Sequence, residues 1–141
     1  MADSLRALIT ESLAVVRWEA PPLWDRLGQR LAGLTLDLAL EGERFAVRAA
    51  AGDVRVGAPD PGAPVRLETD RATIAALLAG QTTLADAVEA DRLQLFGTLE
   101  DLRRLLAGLH VYLHAAVRAP GFGPLQARFA ALEPAGTSRP G

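Results

Sequence analysis

The stretch from Val65 to Leu109 constrains the fold of this chain most strongly, because it predicts five elements with almost no loop between them. Alternation of apolar and polar residues predicts strands, and apolar residues spaced by three or four predict helices. Asp70, Thr83 and Thr98 each precede a predicted helix, at the position where a side-chain oxygen that accepts a hydrogen bond from the first turn is favoured. The predicted order is strand 65–69, helix 70–79, helix 83–88, strand 93–95 and helix 99–117.

Nearly every inward position of this stretch is aliphatic. In the long helix, one apolar stripe is predicted to face the interior, formed by Leu99, Leu102, Leu106, Leu109, Leu113 and Val117. A domain so rich in leucine and so poor in reactive side chains suggests a protein that encloses an apolar molecule. The same leucines would also serve as an ordinary packed core, so the sequence leaves a tunnel and a filled interior as alternatives.

The segment before Val65 predicts two helices followed by an antiparallel meander. Helical spacing over 4–16 ends at Pro21, and Pro22 suits the first turn of a second helix that ends at Gly33. Apolar and polar residues then alternate in three strands joined by tight turns. The predicted fold class is α+β: a five-stranded, mostly antiparallel sheet covered on one face by helices, with an added N-terminal helical segment.

The length of 141 residues predicts a single domain over 1–133. We divide it into an N-terminal helical segment, 1–33, and a core, 34–117, followed by a short helix over 125–132. The tail, 134–141, is rich in Pro, Gly, Ser and Thr and is expected to be disordered.

Composition excludes several classes of function. The net charge of −2 and the scattered arginines argue against a nucleic-acid binder, which needs a basic face. The chain has no cysteine, which excludes disulfides and thiolate chemistry. No apolar run reaches the roughly 18 residues of a membrane-spanning helix, and no signal peptide is evident. We therefore expect a cytoplasmic protein with at most transient membrane contact and no cofactor.

The candidates for chemistry have simpler explanations. His110 and His114 are four residues apart on the long helix, but no glutamate stands at the position that a metalloprotease helix requires and no third ligand is in view. Asp70 and Asp86 are better explained by helix starts. No nucleotide-binding loop or nucleophile elbow is present. The sequence predicts no catalytic residue and no metal site.

The order of the motifs resembles the sterol carrier protein type-2 (SCP2) family, over about 34–117. The residues that carry the resemblance are LxTDxxTIAALLAG at 67–80, TLADAV at 83–88, RLQLFG at 92–97 and LxxLLxxL at 102–109, after an LxLxLEGExFxV hairpin. The resemblance implies an apolar tunnel for lipids, fatty acyl chains or sterols between sheet and helices, without catalytic machinery. Bacterial relatives carry quinone-like intermediates or are joined to larger enzymes. The N-terminal helical segment and the absence of a peroxisomal C-terminal signal depart from some members.

The leading hypothesis is non-enzymatic binding, and transfer within the cell, of a lipid-like hydrophobic ligand. Burial of an acyl chain contributes about 0.8 kcal/mol per methylene, so an aliphatic cavity suffices for affinity. From alternation, helix faces and the resemblance, the predicted tunnel residues are Phe45, Val47, Ile74, Leu77, Leu84, Val88, Leu106, Leu109 and Leu113.

Two alternatives remain at this point. The first is an accessory domain with a vestigial tunnel that supports a partner biosynthetic enzyme or forms a homodimer, with the N-terminal helical segment as its interface. The second is a small cavity enzyme, for which Glu68, Tyr112 or His110 would supply the acid or base. A continuous void between sheet and long helix would favour ligand binding, and a filled core would favour the accessory role.

Overall fold

The α+β fold class predicted from the sequence is confirmed by the computed structural model, which describes residues 4–40 and 42–131. The predicted tail, 134–141, lies outside these residues. The elements are α1 (Leu5–Glu19), α2 (Pro21–Leu31), β1 (Thr35–Leu40), β2 (Glu43–Ala50), β3 (Asp53–Gly57), β4 (Val65–Thr69), α3 (Arg71–Leu78), α4 (Leu84–Glu89), β5 (Gln94–Phe96), α5 (Leu99–Arg118) and α6 (Phe122–Ala130).

The five strands form one mixed sheet in the order β3-β2-β1-β4-β5. Three pairs are antiparallel, and β1 and β4 run parallel, so the expectation of a mostly antiparallel sheet is confirmed. The chain leaves β3 at one edge and returns beside β1. This crossing passes over the outer face of the sheet, where the Asp60 amide donates to Asp37 at 3.1 Å.

The two faces of the sheet differ in chemistry because side chains alternate along each strand. The inner face is aliphatic and aromatic, and includes Leu36, Leu38, Leu40, Phe45, Val47, Val54, Val65 and Leu67. The outer face bears arginines that pair with carboxylates: Arg44 with Asp37, Arg48 with Asp60, Arg55 with Asp53 and Arg66 with Glu68. The apolar interior therefore lies between the inner face and the helices.

Helix α1 is held in place at its N-terminus by Glu43 of β2. The Glu43 carboxylate accepts hydrogen bonds from the amides of Leu5 and Arg6 at 2.8 and 3.1 Å, and Arg71 of α3 donates to it at 2.9 Å. A carboxylate at this end of a helix satisfies free amides and interacts favourably with the helix dipole. Glu43 thus links α1, the β1–β2 hairpin and α3.

The long helix α5 faces the interior with a different side from the one predicted. Its buried residues include Leu105, Gly108 and Ala115, whereas Leu99 and Val117 of the predicted stripe are 74% and 83% exposed. The stripe is wrong at both ends because the most buried side of α5 runs through Leu105, Gly108, Val111 and Ala115. Since successive residues turn about 100° around a helix, the leucine stripe lies at the edge of the buried side.

Gly108 lies where α5 packs against Leu31 of α2. A Cβ atom on Gly108 would lie 2.5 Å from Cδ2 of Leu31. We expect Gly108→Val to destabilise the protein by about 1–3 kcal/mol through overpacking, measured as the shift of the urea midpoint. Gly123 has open space around it, so Gly123→Val is the control and should leave the midpoint nearly unchanged. Equal effects of both changes would contradict this packing account.

Candidate functional site

Two apolar chambers lie between the inner face of the sheet and the helices. We call the first the α3 chamber, because Ile74, Leu77 and Leu78 of α3 line it; its volume is about 90 Å³. We call the second the α2 chamber, because Leu27 and Leu31 of α2 line it; its volume is about 80 Å³. The walls of both chambers present no polar surface. Such cavities suit a hydrocarbon and offer nothing to a sugar, base or phosphate.

The two chambers adjoin each other. Four residues line both: Ile9 of α1, Leu38 of β1, and Leu109 and Tyr112 of α5. We call these four residues the partition. These four residues belong to α1, to the central strand β1 and to α5. The partition therefore lies where these three elements meet.

Tyr112 contributes its ring to the chambers and directs its hydroxyl towards α1. The hydroxyls of Tyr112 and Ser12 are 2.6 Å apart, and Ser12 donates its own proton to the Ile9 carbonyl at 2.7 Å, so Tyr112 is the donor to Ser12. The Phe122 ring meets the Tyr112 ring edge-on at 5.8 Å. Burial raises the pKa of Tyr112 to about 12, so this phenol stays neutral at physiological pH.

Six of the nine predicted tunnel residues line the chambers: Val47, Ile74, Leu77, Leu84, Leu109 and Leu113. The other three do not. Phe45 is fully buried on the inner sheet face but outside both walls. Val88 is 38% exposed, because the short helix α4 buries Leu84 and Ala87 instead. Leu106 lies about 100° around α5 from the buried Leu105, beyond both walls.

The N-terminal helices supply wall residues that the sequence analysis did not include. Ile9 and Leu13 of α1 and Leu27 and Leu31 of α2 line the chambers. These helices were considered as a partner interface because they precede the part of the chain that carries the resemblance. Their own apolar spacing was the available signal, since an amphipathic helix must bury its apolar side against something. In the structure this side covers the inner sheet face.

Of the candidate acids and bases, Tyr112 lines both chambers as a neutral phenol, and Glu68 and His110 line neither. Glu68 lies on the outer sheet face and pairs with Arg66 at 2.6 Å. His110 and His114 are exposed on α5, and Nδ1 of His110 is 2.9 Å from the Leu106 carbonyl. Within residues 4–40 and 42–131, no three His, Asp or Glu side chains are grouped closely enough to hold a metal ion. Neither Glu68 nor His110 is placed to act as an acid or base in the chambers, and the neutral Tyr112 phenol is hydrogen-bonded to Ser12.

Comparison with known proteins rests on structure. No family model and no curated protein matches the sequence. Among solved structures, a UbiJ-SCP2 ubiquinone synthesis protein superposes with a TM-score of 0.59 at 18% identity, covering 77% of this chain and 95% of the other. A sterol carrier protein 2 crystal structure gives 0.58 at 15%, covering 82% and 99%. Sterol carrier protein domain 2 of Helicoverpa armigera gives 0.57 at 11%, covering 84% and 96%.

The chain has the SCP2 fold. This confirms the resemblance read from the order of motifs at 67–109, at the level of architecture. The SCP2 fold here includes the N-terminal helices as part of the chamber walls. None of the helices in the described part of the chain is both long and apolar enough to cross a membrane.

Proposed function

We propose that the protein binds hydrophobic small molecules without transforming them, in the interior between the sheet and α5. The observation that carries this proposal is the pair of adjoining chambers whose walls present no polar surface. A well-packed interior has few voids larger than a water molecule, and chambers of about 90 and 80 Å³ are space that the core side chains leave unfilled. The fold, shared with sterol carrier domains, supports the same function.

The size of the chambers limits how a ligand is held. Ligand sites commonly measure about 300–1,000 Å³, and an apolar cavity of about 150 Å³ in another protein admits benzene. At about 90 and 80 Å³, either chamber alone holds only part of a lipid. Binding of an acyl chain in this proposal therefore widens the interior and joins the two chambers.

Helix α3 is the proposed portal. Its Ile74 and Leu77 line the α3 chamber and are only partly buried. Helix α3 packs mainly on α5 and α6, and Gln126 of α6 donates a hydrogen bond to the Leu78 carbonyl. A short helix held by other helices can shift outward without breaking strand pairing. We propose that the protein works in the cytoplasm and contacts membranes transiently when it exchanges ligand.

The test is ligand capture by the purified protein. We expect native mass spectrometry of gently purified protein to show a bound lipid, and titration with a fluorescent fatty acid to saturate at one per chain. Leu77→Asp places a carboxylate in the chamber wall and should weaken binding by about tenfold or more, since burial of an unpaired charge costs well over 1.4 kcal/mol. Leu99→Asp, at an exposed leucine outside both walls, is the matched control and should bind normally. Absence of both copurified lipid and uptake would refute the proposal.

A second candidate function is an accessory role beside a biosynthetic enzyme. The observation that favours it is the small size of the two chambers, about 90 and 80 Å³, which is less than a lipid occupies. The similar structure of a ubiquinone synthesis protein is consistent with such a role. Affinity capture from native lysate separates the candidates. A partner enzyme captured in stoichiometric amount, together with no ligand uptake, would favour the accessory function. Capture of a second copy of this chain, again with no ligand uptake, would favour the homodimeric form of that function.

A further inference from the structure

We propose that Leu109 is the gate of the lipid site, and that the site selects a single slender aliphatic chain over a fused-ring sterol. This inference rests on the proposed function. It starts from the partition, which separates two chambers that are both too small for a lipid. A ligand that occupies both chambers has to pass between Ile9, Leu38, Leu109 and Tyr112.

Three members of the partition are held firmly. Leu38 lies on β1, the central strand of the sheet, with a strand paired on each side. Tyr112 is held by its hydrogen bond to Ser12 and by the edge-on contact with Phe122. Ile9 is branched at Cβ, which restricts its χ1 angle strongly in a helix. Rotation of Leu38 would move a side chain that is only 8% exposed, and movement of Tyr112 would break its hydrogen bond to Ser12.

Leu109 is the member that can move. It is branched at Cγ, so it has more than one staggered arrangement in a helix. It is partly buried, whereas Leu105 is fully buried and Gly108 lies against Leu31 of α2. Rotation of one leucine opens a gap about as wide as the isobutyl group it vacates. A polymethylene chain has a similar cross-section, and a rigid four-ring sterol is wider.

The gap between the four partition residues should therefore make affinity depend on both the shape and the length of the ligand. Each methylene buried beyond the first chamber should add about 0.8 kcal/mol, or about fourfold in affinity, as long as Leu109 lets the chain through. A larger side chain in place of Leu109 should stop the gain in affinity per methylene once the ligand fills one chamber. A smaller one should open the passage to wider molecules.

The test uses a series of straight-chain carboxylic acids from about six to about sixteen carbons and a fluorescent sterol, each titrated into the full-length protein. In the unchanged protein we expect affinity to rise along the series and sterol to bind at least about tenfold more weakly than the longest acid. In Leu109→Phe we expect the rise to stop at short acids. In Leu109→Ala we expect sterol binding to gain about tenfold and the preference for chains to shrink.

Two controls keep this inference separable from folding and from the proposed function. Leu102→Ala removes a leucine of α5 that lies outside both walls, and should change stability without changing the ligand preference. The chain has one tyrosine, so an alkaline titration that still places its pKa near 12 shows that Tyr112 remains buried in a variant.

The outcomes are distinct. If the unchanged protein binds none of the acids, the proposed function fails and the gate fails with it. If it binds them, but Leu109→Phe leaves the dependence on chain length unchanged, only the gate is refuted. Sterol binding as tight as that of the longest acid in the unchanged protein would also refute it.

Discussion

Replacement of Phe129 by alanine is expected to lower the free energy of unfolding by about 3–5 kcal/mol, the range for a fully buried phenylalanine. Phe129 is 2% exposed and lies on α6, which packs against α1 and α3. The loss has two parts: the transfer free energy of the ring and the cavity left beneath α6. Urea unfolding followed by circular dichroism would measure it.

Phe96 offers a matched control for this prediction. It is the same residue type, but it is 48% exposed on the edge strand β5. We expect Phe96→Ala to change the free energy of unfolding by about 0.5 kcal/mol or less, as for most surface positions. Comparable losses at the two positions would show that α6 does not pack as described. A larger loss at Phe129, with increased binding of a hydrophobic dye, would show that α6 covers the interior.

Replacement of Glu43 by glutamine is expected to cost about 1–3 kcal/mol at neutral pH. The change replaces the carboxylate that accepts hydrogen bonds from the Leu5 and Arg6 amides with a neutral amide. It also leaves the largely buried Arg71 without this carboxylate. The matched control is Glu68→Gln on the outer sheet face. The Glu68–Arg66 pair is partly solvated and should contribute less than about 1 kcal/mol.

The effect of Glu43 should depend on pH. Burial acts to raise the pKa of Glu43, but the hydrogen bonds from the Leu5 amide and from Arg71 outweigh it, so the pKa lies below its ordinary value of 4.5. A lowered pKa in the folded state means that the stabilisation is complete above pH 4.5 and is lost as the pH falls through the folded-state pKa. The stability difference between Glu43→Gln and the unchanged protein should therefore shrink in acid. A difference that is constant down to acid unfolding would contradict this assignment.

The elements of this fold could be predicted from the sequence because local signals agree with the tertiary structure. Asp70, Thr83 and Thr98 were predicted as helix caps, and each side chain accepts a hydrogen bond from an amide in the first turn of its helix. The final helix was placed at 125–132 and begins earlier, at Phe122. The first turn of this helix contains Pro124, which is tolerated there because its missing amide proton is not needed in the first turn.

The candidate site was less predictable, because its shape depends on contacts between distant segments. Leu109 and Leu113, predicted as wall residues from their spacing, line the chambers, but Leu106 belongs to the same spacing and lies outside. Helix α5 presents Gly108 to α2, where the Leu31 side chain approaches. A glycine has no hydrophobic signal, so a pattern of leucines could not indicate which side of α5 faces α2.

The hydrogen bond between Ser12 and Tyr112 joins residues 100 positions apart and has a consequence for biosynthesis. Helices α1 and α2 are made before the sheet that they cover, but α5 leaves the ribosome after all five strands. Folds that depend on such distant contacts form slowly, because loop-closure entropy is lost before the stabilising contacts form. The part of the interior that α5 covers therefore stays exposed during synthesis until this helix has emerged.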